Sequence, residues 1–115
     1  MSWPTEITAM DKGRVLVVVF DDGRAIRLTA ERLRVESPSA EVQGHSPAQK
    51  RAVTGKENVA IVAIEPVGNY AIKIVFDDGH DTGIYSWTYL HELGREQESR
   101  WAHYLADLEK AGLTR

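Results

Sequence analysis

The chain has 115 residues, a formal net charge of −3 and no cysteine, so it fits one domain that can bury a core without covalent cross-links. The lack of cysteine excludes disulfides, thiolate zinc sites, thiolate-bound iron–sulfur clusters and cysteine nucleophiles within this sequence. Its lysines and arginines are scattered, so we expect no nucleic-acid binding, which depends on clustered cations.

Two copies of a short phrase organise the predicted secondary structure. Phe20-Asp21-Asp22-Gly23 recurs as Phe76-Asp77-Asp78-Gly79, and each copy follows an apolar run rich in β-branched residues. An Asp-Gly pair after such a run predicts a hairpin, because both residues tolerate the backbone of a tight turn. The paired strands would be Arg14–Phe20 with Arg24–Leu28, and Tyr70–Phe76 with His80–Ile84.

Each predicted hairpin has a strand before it and a helix start after it. The preceding strands are Glu6–Met10 and Val59–Glu65. Thr29 and Ser86 are suitable N-caps for the helices that would follow, and Gly94 suits the end of the second helix. The chain therefore repeats a pattern of strand, hairpin and short helix. This repetition indicates either an ancestral duplication or a mixed sheet with internal pseudo-symmetry.

The segment Glu96–Ala111 has the clearest helical periodicity. Trp101, Tyr104, Leu105 and Leu108 recur at i, i+3, i+4 and i+7 and form one apolar stripe. We expect this stripe to pack on the protein's own sheet rather than on a partner, because most amphipathic helices in single domains cover their own core.

Together these patterns predict an α+β fold, a mostly antiparallel β-sheet built from two hairpin units with short helices and a C-terminal amphipathic helix. Residues 1–94 would form the main part of a single domain, and residues 95–115 the helix that packs on it. The longest aliphatic run, Val15–Phe20, is too short to span a bilayer, and charged residues interrupt the start of the chain. We therefore expect no membrane association and a cytoplasmic location.

Few residues carry recognisable chemistry. There is no phosphate loop and no nucleophile elbow, and His80-Asp81 is adjacent rather than spaced, which argues against an iron site with two histidines and a carboxylate. His45 lies in the aperiodic segment Glu36–Asn58, and it is, with His80, a candidate for metal binding. For both residues we favour a hydrogen-bonded structural histidine. We therefore expect no catalytic residue, no cofactor and no bound metal.

Several phrases taken together resemble a known family. They are Trp3-Pro4-Thr5-Glu6-Ile7, Leu28-Thr29-Ala30-Glu31-Arg32-Leu33-Arg34, the run from Ser37 to His45, the run from Ile64 to Ala71 and the run from Phe76 to Trp87. From Trp3 to about Gly94 the sequence is similar to the gamma-butyrobetaine hydroxylase-like N-terminal domain family. The resemblance implies an accessory domain. In larger proteins it precedes a 2-oxoglutarate- and iron-dependent dioxygenase or accompanies a Mrp-type ATPase with iron–sulfur clusters, and those neighbours supply the chemistry.

The resemblance also implies a structural zinc site, which this sequence does not preserve. In the hydroxylases the site is a Cys-x-Cys-x-x-Cys run with a later histidine. The corresponding residues here are Ser37, Ser39 and Val42, with His80 at the later position. Serine is a poor zinc ligand and valine is none, so we expect no zinc here.

We therefore expect a non-catalytic accessory module that binds another protein, linked through the resemblance to iron–sulfur or other metal-cofactor handling. The segment Ser37–Pro47 takes the place of the zinc-binding run, so it should meet the turn at His80 and form the functional surface with it. The residues of this predicted interaction surface are Glu41, Gln43, His45, His80 and Asp81. The alternative is a small-ligand or metal-binding domain, which requires the imidazoles of His45 and His80 to converge.

Overall fold

The computed structural model describes residues 3–39, 42 and 53–115. Its elements are β1 (Pro4–Met10), β2 (Val15–Phe20), β3 (Ala25–Thr29), α1 (Ala30–Val35), β4 (Ile61–Val67), β5 (Ala71–Phe76), β6 (Gly83–Ser86) and α2 (Trp87–Lys110). The strands form two antiparallel three-stranded sheets, in the orders β1-β2-β3 and β4-β5-β6. The predicted α+β, β-rich fold is confirmed.

Both predicted hairpin turns are present. The backbone φ angles of Gly23 and Gly79 are 85° and 89°, which glycine adopts without steric cost. Their N–H groups donate to the carbonyl oxygens of Phe20 and Phe76 at 3.0 and 3.1 Å. The predicted helix caps are also confirmed, since Thr29 accepts from a backbone N–H at the start of α1 and Ser86 does so at the start of α2.

The return strand of the second hairpin begins later than predicted. The expected strand was His80–Ile84, but β6 starts at Gly83. Before it, the His80 N–H donates to Asp78 Oδ1 at 3.0 Å, and Thr82 Oγ1 lies 2.6 Å from Ser39 Oγ. Hydrogen bonds to side chains thus engage this stretch and compete with the strand ladder.

The last helix is continuous, so the predicted helix end at Gly94 is wrong. Helix α2 runs from Trp87 to Lys110 and crosses the position at which the sequence analysis divided the chain. Gly94 serves close packing instead, because a Cβ atom there would lie 2.5 Å from Cγ2 of Ile26 in β3. No helix in residues 3–39, 42 and 53–115 is long and apolar enough to cross a membrane.

Helix α2 packs through two groups of side chains. Leu90 and Leu93 join the main core, whereas Tyr104 and Leu108 pack with Val35 of α1 in a second cluster. Leu105 is 40% exposed, so its predicted burial is wrong. The second half of α2 therefore packs on Val35 of α1 and on Val53 instead of on the sheets as predicted.

One core joins the two sheets. It is lined by alternate residues of the two central strands, β2 and β5: Leu16, Val18, Phe20, Ile72, Ile74 and Phe76. The backbone also joins the sheets at the turn Asp11-Lys12-Gly13 between β1 and β2, where the Ile61 N–H donates to the Gly13 carbonyl oxygen at 2.7 Å. Gly13 has a φ of 86°, and a Cβ atom there would lie 2.1 Å from the Ile61 carbonyl oxygen. Only glycine allows this approach.

Gly13→Ala should therefore lower the free energy of unfolding by about 2–5 kcal/mol. The left-handed backbone accounts for about 1–2 kcal/mol and the clash with Ile61 for about 1–3 kcal/mol. Gly23→Ala is the matched control, because Gly23 has nearly the same φ and a Cβ atom there would meet nothing within 4 Å; it should cost only about 1–2 kcal/mol. Urea denaturation of both variants measures the difference, and equal losses would contradict a steric constraint at the junction.

Candidate functional site

The structure describes two of the five residues predicted to form an interaction surface. Glu41, Gln43 and His45 lie outside the described residues. Of the other two, His80 is buried and Asp81 is exposed. The convergence of His45 with His80, which the ligand-binding alternative requires, involves a residue outside the described part of the chain.

His80 lies in a hydrogen-bond network with the chain that leaves α1. Its Nε2 lies 2.8 Å from Ser37 Oγ, and the Ser39 N–H donates to the same Ser37 oxygen at 3.3 Å. A second link joins Ser39 Oγ to Thr82 Oγ1 at 2.6 Å. The start of the segment Ser37–Pro47 thus meets the turn at His80, as the sequence analysis expected of these two regions.

Many hydrolases use a serine hydroxyl hydrogen-bonded to a histidine nitrogen as nucleophile and general base. In this protein, burial keeps a substrate from reaching the Ser37–His80 pair. Ser37 is 0% exposed and His80 is 5% exposed. A Cβ atom at Gly83 would lie 2.5 Å from Ser37 Oγ, so no space is left beside the hydroxyl for a reacting carbonyl group. The geometry favours a structural hydrogen bond over a catalytic dyad.

The same residues do not fit the zinc site that the family resemblance implies. Ser37 contacts His80 and Ser39 contacts Thr82, and Val42 is buried with its N–H donating to the Ser39 carbonyl oxygen at 3.0 Å. These positions offer two hydroxyl groups, one imidazole and an aliphatic side chain, whereas structural zinc takes four ligands, mostly thiolates and imidazoles. Within residues 3–39, 42 and 53–115, no cluster of His, Asp and Glu could hold a metal ion.

A charged cluster lies directly beside this network. Asp78 Oδ2 contacts Arg34 Nε of α1 at 2.8 Å and Lys56 Nζ at 2.6 Å. Burial would raise the pKa of Asp78, but the hydrogen bonds from Lys56, the His80 N–H and Arg34 together lower it from 3.8 to about 2. The cluster ties α1, the turn of the second hairpin and the chain before β4 to one carboxylate.

Three tyrosine hydroxyl groups, which the sequence analysis did not single out, satisfy backbone carbonyl groups around this region. Tyr85 donates to Leu33, Tyr89 to Glu36 and Tyr104 to Val53, each at 2.5 Å. Burial, and then the charge of Glu36, raises the pKa of Tyr89 to about 12. The sequence signal for these hydrogen bonds is the residue type alone, because the hydroxyl of a buried tyrosine usually has a hydrogen-bond partner.

The family model described as gamma-butyrobetaine hydroxylase-like, N-terminal, matches residues 7–91. The chain belongs to this family. This confirms the resemblance on which the sequence analysis relied. A search of curated proteins found no match.

Solved structures show the same fold. Two structures determined in solution by NMR are 44% and 50% identical, with TM-scores of 0.85 and 0.86. They are matched over 100% of this chain and over 90% and 86% of their own chains. A crystal structure from Acidithiobacillus ferrooxidans ATCC 23270, of a DUF971-family protein of unknown function, is 45% identical with a TM-score of 0.65. That match covers 79% of this chain and 91% of the other.

Ser37→Ala should lower the free energy of unfolding by about 1–3 kcal/mol, because His80 Nε2 would lose a hydrogen-bond partner inside the protein. Ser99→Ala is the control, since Ser99 is exposed on α2 and its loss should stay within about 0.5 kcal/mol. Chemical denaturation measures both. If Ser37→Ala is as mild as the control, the network does not stabilise the fold.

Asp78→Asn should reduce the loss of folding stability that the protein undergoes as the pH falls from 4 to 2. Because the folded-state pKa of Asp78 is lowered to about 2, its stabilising effect is present above about pH 4 and is lost as the pH falls towards 2. The variant should be less stable than wild type by roughly 1–2 kcal/mol at neutral pH, and the difference should shrink between pH 4 and 2. Thermal unfolding across this range tests it. Asp81→Asn, at an exposed position, is the control and should change the stability at neutral pH by no more than about 0.5 kcal/mol.

Proposed function

We propose that this chain is a non-catalytic accessory module that binds another protein. The observation that supports this most directly is the anchoring of the segment that carries Glu41, Gln43 and His45. Its first residues are fixed to the second hairpin by the Ser37–His80 and Ser39–Thr82 contacts. Binding residues are often placed on loops that a stable scaffold positions.

The described chain that follows this segment, from Val53 onward, is anchored as well. Tyr104 of α2 donates to the Val53 carbonyl oxygen, and Lys56 pairs with Asp78. Asp78 in turn accepts from the His80 N–H at 3.0 Å. The Lys56 anchor and the Ser37 anchor therefore meet at the turn of one hairpin.

In this proposal His80 positions the surface rather than contacting the partner, because its imidazole is buried against Ser37. Asp81 is exposed next to it and would supply a direct contact together with Glu41, Gln43 and His45. The Ser37 contact also weakens the small-ligand alternative, since a metal ion bound at His80 Nε2 would have to displace it.

We further propose that the module acts in the cytoplasm and that its partner is a protein rather than nucleic acid or a membrane. The mild negative charge and scattered cations support this choice. A role in iron–sulfur or other metal-cofactor handling is proposed from the family resemblance alone.

The test is a pull-down from native cytoplasm, followed by affinity measurements with the purified partner. We expect the triple variant Glu41→Ala, Gln43→Ala, His45→Ala to bind the partner at least tenfold more weakly, corresponding to about 1.4 kcal/mol. Its free energy of unfolding should stay within about 0.5 kcal/mol of wild type, the range of substitutions that remove no stabilising contact.

The matched control is Glu109→Ala with Lys110→Ala, two exposed residues at the end of α2, which should leave the affinity unchanged. A triple variant that unfolds more easily but keeps its affinity would reject the proposed surface and indicate a structural role for the segment. One metal ion per chain that is lost on His45→Ala would instead support the ligand-binding alternative.

A further inference from the structure

Glu31 is a buried carboxylate that faces a guanidinium group. It lies in the first turn of α1, and its side chain is 7% exposed. Arg115 donates to both of its oxygens, from Nη2 to Oε1 at 2.7 Å and from Nε to Oε2 at 3.0 Å. Among residues 3–39, 42 and 53–115, Arg115 is the cation paired with Glu31. A buried carboxylate is costly unless a cation and hydrogen bonds compensate it.

An aromatic ring completes this pocket. The guanidinium carbon of Arg115 lies 5.2 Å from the centroid of the Trp101 ring, within the range of a cation–π contact. A second guanidinium, that of Arg32, lies 4.9 Å from the same ring and donates to Gln97 Oε1 at 3.0 Å. The planar fork of an arginine matches a carboxylate bidentately and also stacks on an aromatic face, whereas a lysine ammonium matches neither geometry as well.

The residues that bring Arg115 to the pocket are weakly held. Residues 111–115 are all exposed, and the Arg115 side chain itself is 45% exposed. The backbone leaves α2 through Gly112, with the Leu113 N–H donating to the Leu108 carbonyl oxygen at 2.8 Å. None of the residues 111–115 belongs to either hydrophobic cluster. Breaking the pair between Arg115 and Glu31 would therefore remove no side chain from either hydrophobic cluster.

We propose that Glu31 and Trp101 form a guanidinium-binding site, which Arg115 fills within the chain and which an arginine side chain of a partner protein can fill in its place. The pocket has the two features that recognise arginine, a buried bidentate carboxylate and an aromatic face. It shares no residue with the interaction surface proposed above, so either proposal can fail without the other.

The site should be open to an external ligand in Arg115→Ala. The probe is N-acetyl-L-arginine amide, and the readout is the NMR signal of the Trp101 indole N–H, assigned with Trp101→Phe. We expect saturable binding at millimolar probe concentrations in Arg115→Ala. Wild type should bind the probe at least about tenfold more weakly, because Arg115 competes at the high effective concentration of a tethered group.

Two controls separate recognition from non-specific effects. N-acetyl-L-lysine amide should bind Arg115→Ala at least about tenfold more weakly than the arginine probe, because it cannot form the bidentate pair. The double variant Glu31→Gln, Arg115→Ala should not bind the arginine probe. The proposal is overturned by equal binding of the two probes, by binding that survives in the double variant, or by no binding to Arg115→Ala.

If Arg115→Ala does not fold by itself, the same probes are used to restore folding, measured by circular dichroism and thermal unfolding. Recovery with the arginine probe but not with the lysine probe would support the site. Recovery with neither or with both would reject it.

Discussion

Each three-stranded sheet has one apolar face, and the rest of the structure depends on how the two faces are buried together. A three-stranded sheet depends for its stability on its hydrophobic face, and that face must be covered to leave water. Here the central strands β2 and β5 have the same alternation of buried and half-buried residues, and their inward side chains form one core. The close approach of Gly13 to Ile61 fixes where the two units meet.

The helices also connect the two sheets. Helix α1, which follows the first sheet, contacts the hairpin of the second, and α2, which follows the second sheet, contacts the hairpin of the first. Arg34 of α1 pairs with Asp78 in the second hairpin's turn, and His91 of α2 packs edge-on against Phe20, which ends β2, at 5.3 Å between ring centroids. The end of α1 is therefore held against the second hairpin. This places Ser37 beside His80 and gives a physical reason for the buried hydrogen bond between them.

The guanidinium site includes Glu31 of α1, a helix of six residues, and the anchored segment begins just after this helix. A helix this short has little intrinsic stability, so its position depends on the contacts it makes. Leu33 is fully buried in the core, and Arg32 and Arg34 are bound to α2 and to the second hairpin. We infer that changes in α1 would affect both proposed surfaces through its position, in addition to any direct contact.

Local patterns in the sequence determined the strands, the turns at Gly23 and Gly79 and the caps at Thr29 and Ser86, because those features depend on neighbouring residues and on backbone preferences. Family phrases further predicted that Ser37 would meet His80. Only the tertiary structure decided the continuity of α2 through Gly94 and the exposure of Leu105, since both depend on what α2 packs against. The pairing of Glu31 with Arg115 joins residues 84 positions apart, and no local pattern specifies a contact of that kind.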